Sequence, residues 1–347
     1  MLQFADAQLA QLIIHYAGNK NNQENYVLSD RRVGRLDPET QQLMVRFFLA
    51  PFKTAEQFRF WHESDIQLNP CFSFLTDIFE DPEQFTEKSK SLCRHLYECT
   101  MHPQIKPGDL FMAELTDVQW GEQTVSAVVI VKSENKETFV QSQYAAGNFD
   151  LQTLAGIRLD KIDKAALILH TEAGDGFRVC VVDNVSRGSE AAYWRDDFLK
   201  IVQVEDAYYH TSQMLGIAKE YITGQFSKEF QVTKTDRIDL LNRSLEYFKT
   251  HDAFDKEEFE EEVFHHPEMI DSFRSFDQQF RQERGLEMEA SFDISDQAVK
   301  KQARVFKSVL KLDRNFHVYI HGNRQLIERG VDEDGRKYYK LYYEEES

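Results

Sequence analysis

Apolar and polar residues alternate along several short segments in the first half of the chain. Segments 109–120 and 124–133 alternate on either side of a glycine-containing turn, and so do segments 165–172 and 177–184. A period of two with a short turn between the segments is typical of a β-hairpin. Two consecutive hairpins predict an antiparallel sheet with helices on one side.

The rest of this half supplies further elements. Segments 9–18 and 24–30 resemble two short strands joined by a polar turn. Segment 38–52 has apolar residues at helical spacing after a proline at its start, and segment 83–102 has the same spacing. The first half is therefore predicted to contain both antiparallel strands and helices.

From about residue 206 the apolar residues recur every three or four positions, which predicts helices. The predicted helical segments are 206–226, 234–251, 255–269 and 269–285. Asp255 followed by Glu258 fits an N-cap with a capping-box partner, and Gly285 fits a helix end.

A basic helix and a hairpin are predicted to close the chain. The hairpin pairs segments 314–330 and 336–346 around a turn at 332–335. The whole is predicted to be an α+β protein in two parts: 1–205, an antiparallel sheet with helices, and 206–347, mainly helical with the basic helix and terminal hairpin.

The basic helix draws attention because the chain is otherwise acidic. The formal net charge is −18, yet residues 299–330 carry eight Lys and Arg against two acidic residues. On a helix, the positions of Lys300, Arg304, Lys307 and Lys311 would share one narrow stripe. The apolar residues Val299, Ala303, Phe306 and Leu310 would form a neighbouring stripe.

A cationic row of this kind suits a line of phosphates, because Lys and Arg release condensed counterions without reading bases. The same row also fits solvated side chains whose stems cover a buried seam. His317, Tyr319 and His321 alternate along the next predicted strand, and such a row either stacks on exposed bases or is simply the wet face of a sheet.

Other candidate sites carry weaker signals. His95, Cys99 and His102 fall on one helical face but lack a recognised zinc spacing, so buried packing is favoured over a metal. Asp196 and Asp197 are adjacent and point in different directions, which favours an ordinary charge pair over a nuclease site. Segment 173–176 is a hairpin turn and not a phosphate loop. No metal or cofactor is predicted.

The acidic segment 255–264 contains Glu257, Glu258, Glu260, Glu261 and Glu262. These side chains are predicted to be solvated. Repulsion of DNA, or shielding of the basic stripe until a partner displaces it, stays open as an alternative.

Composition limits the class of protein. Phe, Trp and Tyr together make up 13% of the chain, which favours a folded protein over a disordered one. No apolar run is long enough to span a bilayer, and the first residues lack a signal-peptide pattern. The four cysteines include no Cys-x-x-Cys pair, so reduced thiols are expected. A cytoplasmic protein without membrane contact is predicted.

Three segments carry a resemblance to a known family. They are "AAYWRDDFLKIV" at 191–202, "SFRSFDQQFRQERGLEMEASFDIS" at 272–295 and "NFHVYIHG" at 315–322. Together with the order of elements, they resemble the bacterial nucleoid-associated protein family of the NdpA type. The resemblance implies a cytoplasmic protein found with the nucleoid that binds DNA or DNA-bound proteins, and it supplies no active site.

The leading hypothesis is a non-enzymatic nucleoid-associated protein that binds nucleic acid with little sequence preference. Duplex DNA is the first candidate ligand and single-stranded DNA the second. The predicted contact residues are Lys300, Arg304, Lys307, Lys311, Arg314 and Arg324. The alternative is an acidic interaction protein that a DNA-bound partner protein recruits to the nucleoid, and a metal-dependent nuclease is a third, weaker reading.

Overall fold

The computed structural model describes residues 2–52, 56–145, 147–184, 193–230, 232–303, 306, 309–312, 316–319 and 326–343. The chain divides into two compact units, Met1–Val204 and Glu205–Ser347. We call them unit 1 and unit 2 and describe each by itself.

Unit 1 is built on an antiparallel sheet of eight described strands, in the order β1, β4, β5, β8, β9, β3, β10, with β2 also paired to β4. Strands β6 and β7 form a separate hairpin. The strands are β1 (Leu2–Gln3), β2 (Gln8–Ala17), β3 (Gln57–Phe60), β4 (Gly108–Trp120), β5 (Gln123–Ser133), β6 (Glu137–Ala145), β7 (Asn148–Gly156), β8 (Lys164–Leu169), β9 (Arg178–Asp183) and β10 (Ile201–Gln203).

Both hairpins predicted from alternation are confirmed, since β4 pairs with β5 and β8 pairs with β9. The central strands are buried on both faces. In β5, Val128 and Ile130 belong to one core, while Val129 and Val131 belong to a second core on the other face. Such strands need cover on both sides of the sheet.

The expectation of helices on one side only is wrong, because helices cover both faces. Helices α2 (Pro70–Glu80) and α3 (Phe85–Glu98) contribute Leu75 and Leu92 to the first core. Helix α1 (Pro38–Leu49) contributes Phe48 to the second core. The physical reason is the continuous apolar run of β5, which leaves neither face suitable for water.

The other predictions for this unit were close. The helix predicted at 83–102 runs from Phe85 to Glu98, and α1 begins where proline follows the N-cap Asp37. The strand predicted at 24–30 is wrong: only Val27 forms a β-bridge, with Tyr16. Helix α2 and the β6–β7 hairpin were not predicted.

Unit 2 is mainly helical, as predicted. Its helices are α4 (Ala207–Thr223), α5 (Phe226–Glu229), α6 (Lys234–Thr250), α7 (Lys256–Phe264), α8 (Pro267–Arg284) and α9 (Asp296–Ala303). They pack around an aromatic core in which Tyr221, Phe248, Phe254, Phe259 and Phe273 are almost fully buried. Aromatic side chains bury large areas, so this core can hold short helices together.

Two helix boundaries predicted in unit 2 are confirmed. The Asp255 side chain accepts a hydrogen bond from the Glu258 amide at 3.0 Å, and α8 ends at Gly285 in the left-handed region with φ of 61°. The Glu258 carboxylate, however, accepts a hydrogen bond from the Tyr247 hydroxyl at 2.9 Å. A capping box with both of its hydrogen bonds is found at another helix, at Thr233 and Asp236, where α6 begins.

Short strand pairs complete unit 2. Strand β11 (Ala253–Asp255) pairs with β12 (Ser291–Asp293), and β13 (Val309–Leu312) pairs with β14 (Phe316–Tyr319). The predicted terminal hairpin is confirmed as β15 (Ile327–Val331) with β16 (Lys337–Leu341). In that hairpin Gly330 faces Tyr338, whose ring fills the space of a missing side chain.

Candidate nucleic-acid interface

Helix α9 carries the first basic positions of the segment. Ala298 and Val299 are buried in the core of unit 2, which fixes the orientation of the helix. Lys300 and Lys301 lie exposed in its last turn, where positive charge is favoured by the helix dipole. The Lys301 ammonium lies 5.7 Å from the centre of the Tyr208 ring. Periodicity overlooked Lys301, because it falls beside the predicted stripe.

The predicted basic helix over 300–311 is wrong. Helix α9 ends at Ala303, and Lys311 lies in strand β13, so Lys300 and Lys311 do not share a helical stripe. The sequence "VLKL" at 309–312 also has a period of two, and pairing with β14 decides in favour of the strand. Arg304, Lys307, Arg314 and Arg324 lie outside the described residues.

The β13–β14 pair arranges its residues on two faces. Residues that are directly paired share a face of the ladder. Leu312 and Val318 pack against Ile238 of α6 together with Ile327 and Tyr339. This contact fixes which face of the pair is turned toward the helices.

The opposite face holds the chemistry that the sequence suggested. Lys311 is paired with His317, and Val309 is paired with Tyr319. His317 is exposed, and Tyr319 is 64% exposed. The register therefore places a lysine position beside a histidine and a tyrosine on one face of a two-stranded ribbon. Residue types of this kind can contact phosphates and stack on bases. His321 lies outside the described part of the chain.

The acidic helix α7 is not solvated throughout. Glu257, Glu258, Glu261 and Glu262 are exposed, but Glu260 is fully buried. Its carboxylate accepts a hydrogen bond from Arg274 Nε at 2.7 Å. Burial raises the pKa of Glu260, and the hydrogen bond from Arg274 opposes that rise. One of the five glutamates is thus structural.

Glu260 belongs to a buried charge network that the sequence did not reveal. Asp277 of α8 accepts hydrogen bonds from Lys256 Nζ at 2.7 Å and Arg281 Nε at 2.5 Å. Its carboxylate is 1% exposed. Three cationic groups from α7 and α8 therefore compensate the two buried carboxylates. Paired charges of this kind belong to the interior and are not offered to a ligand.

A second buried network lies in unit 1. Lys132 is fully buried, and its ammonium donates to Glu134 Oε1 at 3.1 Å and to the Tyr193 hydroxyl at 3.1 Å. Lys164, 2% exposed, contacts Asp183 at 3.1 Å. Both ammonium groups lie over the Tyr193 ring, at 5.4 and 5.5 Å from its centroid. Burial lowers the pKa of Lys132, while Glu134 opposes that change.

The weaker candidates take ordinary structural roles. His95 Nε2 is 3.0 Å from the Phe198 carbonyl oxygen, and burial lowers its pKa. Asp196 pairs with its neighbour Arg195 at 2.9 Å in a π-helical segment, Tyr193–Leu199. His95, Cys99 and His102 do not form a group of ligand atoms close enough to share an ion.

Among the residues with described positions, one group has ligand atoms within 4.8 Å of one another: His251, Glu258 and Glu262. The His251 Nε2 atom is 3.7 Å from Glu262 and 4.0 Å from Glu258. His251 also stacks on Tyr247, with ring centroids 4.2 Å apart. Both glutamates are exposed, and exposed acidic groups often lie this close together without a bound ion. None of the described helices is long and apolar enough to cross a membrane.

The comparisons with known proteins agree with the resemblance carried by 191–202, 272–295 and 315–322. A search of curated proteins finds no match. The family model described as nucleoid-associated protein YejK matches residues 13–335, and so extends over most of the 347 residues and into both units. The chain therefore belongs to the nucleoid-associated protein YejK family.

Proposed function

We propose that this protein binds nucleic acid directly, with little sequence preference, through the basic segment 299–330. The observation that carries the proposal is the segregation of charge within a member of a nucleoid-associated family. The segment has eight basic and two acidic residues, a net of +6, so the rest of the chain carries −18 − 6 = −24. Such a segment concentrates attraction for phosphates on one part of an otherwise repellent protein.

The described geometry supports contact with the backbone and with exposed bases. Lys300 and Lys301 project from the last turn of α9, and Lys311 shares a face of the β13–β14 ribbon with His317 and Tyr319. Lysine is a point charge that does not distinguish bases, and aromatic rings stack on any base. Both features favour binding that tolerates sequence.

The test is a titration of duplex and single-stranded DNA with the purified full chain across a salt series. Log K should fall linearly with log salt, with a slope of about −0.9 for each phosphate that the protein neutralises on duplex DNA. Lys300, Arg304, Lys307 and Lys311 should then be replaced together by Gln. The slope should become shallower by about 0.9 for each phosphate that the variant no longer neutralises, equally for all sequences.

A matched control removes the same charge elsewhere in unit 2. Lys219, Lys228, Lys234 and Lys249 replaced by Gln change the net charge by the same four units. The salt slope of this control variant should differ from that of the parent by less than about 0.9, the contribution of a single phosphate. Equal weakening of both variants would mean that total charge and not the segment governs binding. Circular dichroism checks that each variant is folded.

A second candidate function is recruitment by a DNA-bound partner protein. The net of −24 outside the segment and the exposed glutamates of α7 favour it, because an acidic surface complements a basic DNA enzyme. Absence of DNA binding by the full chain at low salt would support this function over direct binding.

The protein is also proposed to be non-enzymatic. Incubation with plasmid or single-stranded DNA and Mg²⁺, Mn²⁺ or Zn²⁺ should leave the DNA intact. Cleavage that is abolished in Asp196→Asn or Asp197→Asn would instead identify a metal-dependent nuclease.

A further inference from the structure

The β6–β7 hairpin of unit 1, which we call the arm, has one face without ionisable residues other than the weakly acidic phenol of Tyr144. The register places eight residues on this face, here called the uncharged face: Thr138, Val140, Ser142, Tyr144, Phe149, Leu151, Thr153 and Ala155. The two acidic residues of the arm, Glu137 and Asp150, lie on the other face.

The uncharged face is open to solvent. Val140 is 66% exposed, Tyr144 67%, Phe149 68% and Leu151 76%. On the other face, Phe139 and Leu154 are 44% and 41% exposed, and the Phe139 ring covers Gly156. No described part of the chain covers the uncharged face. A contiguous apolar patch of this kind marks an interaction surface.

The arm also lacks support from neighbouring strands. In the part of the chain that is described, β6 pairs with β7 alone, so each strand has one unpaired edge. A two-stranded hairpin by itself is marginally stable in water. Cover over one face would therefore stabilise the arm as well as remove apolar surface from water.

We propose that the uncharged face of the arm binds the same face of a second copy of this chain. Sheets pack face to face about 10 Å apart, and each arm presents the apolar, uncharged surface that the other requires. A partner in this position must lack charge where it touches the face. The second arm satisfies that condition with its own residues.

The sizes of the side chains are self-complementary. A two-fold axis that lies between the two arms, over the Ser142–Leu151 pair and perpendicular to the strands, places Tyr144 and Phe149 of one arm opposite Val140 and Thr153 of the other. Large rings then lie over smaller β-branched residues, as interdigitation requires. The Tyr144 and Phe149 rings already contact each other at a centroid distance of 5.0 Å, which makes them one preformed anchor.

The area is sufficient for a small dimer. The four apolar side chains of the uncharged face, at about two-thirds exposure, offer roughly 500 Å² per arm, given about 150–250 Å² for aromatic side chains. Two arms would bury about 1,000 Å², the lower bound of a specific interface. The net charge of −18 on each copy opposes association, so screening by salt should strengthen the dimer.

The first experiment compares one substitution on the two faces. Sedimentation equilibrium of the full chain should give a concentration-dependent dimer of twice 40.7 kDa. Leu151→Asp should weaken the dimer at least about 30-fold, the effect of removing a central apolar side chain. Leu154→Asp, on the other face of the same hairpin, should change the dissociation constant less than about threefold.

A second experiment places a cysteine on the proposed axis. Ser142→Cys should be cross-linked between copies by a bifunctional thiol reagent that spans about 10 Å, because the two copies of residue 142 face each other across that distance at the axis. Gln141→Cys, one residue away on the opposite face, should not. This pair stays informative if Leu151→Asp fails to fold.

The proposal is overturned by a parent chain that stays monomeric at about 100 μM, by equal weakening in Leu151→Asp and Leu154→Asp, or by equal cross-linking of Ser142→Cys and Gln141→Cys. Association that weakens with added salt would also contradict it, since that sign belongs to attraction between charges. DNA binding plays no part in these measurements.

Discussion

One buried amide, Asn69, holds three segments of unit 1 together. Its Nδ2 group lies within hydrogen-bond distance of the carbonyl oxygens of Trp61, Leu199 and Lys200, at 3.0–3.1 Å. Its Oδ1 atom accepts from the Phe72 amide and so caps α2. A single side chain therefore joins Trp61 and the start of α2 to Leu199, which lies 130 positions after Asn69 in the sequence.

Replacing Asn69 by Ala should lower the free energy of unfolding of unit 1 by about 3–5 kcal/mol, because the helix cap is removed and buried carbonyls are left unsatisfied. Asn69→Asp keeps the cap acceptor but removes the donor and sets a carboxylate against carbonyl oxygens. Urea unfolding should therefore find Asn69→Asp at least as unstable as Asn69→Ala. An Asp variant near the parent would contradict this role.

His15 is a buried neutral histidine. The Ser29 amide donates to its Nδ1 atom at 3.0 Å, which leaves the Nε2 hydrogen for Ser89 Oγ at 2.9 Å. A proton on Nδ1 would face the Ser29 N–H group. Burial and the nearby Lys90 and Arg94 lower the pKa of His15 from 6.5 to about 4.

This pKa predicts acid sensitivity. Because the folded pKa is depressed, the stabilising contribution is present above pH 6.5 and disappears as pH falls toward 4. Between pH 7 and pH 4.5, the free energy of unfolding of the parent in urea should fall by about 2–3 kcal/mol more than that of His15→Gln, which has no titrating ring. Equal decreases in the two proteins would mean that folding does not lower the pKa of His15.

At the scale of elements, α7 and α8 are joined by the network around Asp277. This carboxylate lies between Lys256 and Arg281, and its neighbour Glu260 binds Arg274. Removing one member of a buried network leaves its partners uncompensated, which costs more than the pair contributed.

Asp277→Asn should therefore destabilise unit 2 by about 3–5 kcal/mol. Asp271→Asn, an exposed position on the same helix α8, serves as the control and should change stability by less than about 0.5 kcal/mol. Denaturant unfolding measures both. The role assigned to Asp277 fails if the two variants behave alike.

The elements that were predicted well from the sequence each bury at least one face in a core. The β4–β5 and β8–β9 hairpins follow short apolar segments separated by a turn, and the helices α4, α6 and α8 follow the periodicity of their apolar residues. The arm was missed because its apolar residues cover no core of the chain described here. Apolar periodicity predicts an element only where that element buries one of its faces.

The candidate interface shows a different limit. The helical spacing of Lys300 and Lys311 does not establish a helix by itself, because Leu310, Lys311 and Leu312 also alternate as residues of a strand do. Pairing with β14 and packing on Ile238 decide between them, and both involve residues outside the motif. The buried networks were missed because nothing in a sequence marks which charged residues will meet.

At the scale of the whole molecule, each unit has its own core. The first core of unit 1 includes Leu75, and the core of unit 2 includes Phe273, both fully buried. A core of this size can support a domain that unfolds on its own.

Calorimetry should therefore show two transitions. Leu75→Ala should lower the midpoint of one by several degrees, since removing a large core side chain costs about 2–5 kcal/mol, and Phe273→Leu should lower the other. A single transition displaced equally by both variants would mean that the units unfold together.

Two buried lysines, Lys132 and Lys164, can be used to measure how fast the sheet of unit 1 opens. An acylating reagent reacts with unprotonated amines that it can reach, and these two, at 0% and 2% exposure, are out of reach while the sheet is closed. When the reagent is concentrated enough that acylation is faster than reclosing, their rate of acylation, read by mass spectrometry beside that of the exposed lysines, should equal the rate at which this part of the sheet opens. These two buried lysines would thus report the opening of the sheet without an engineered label.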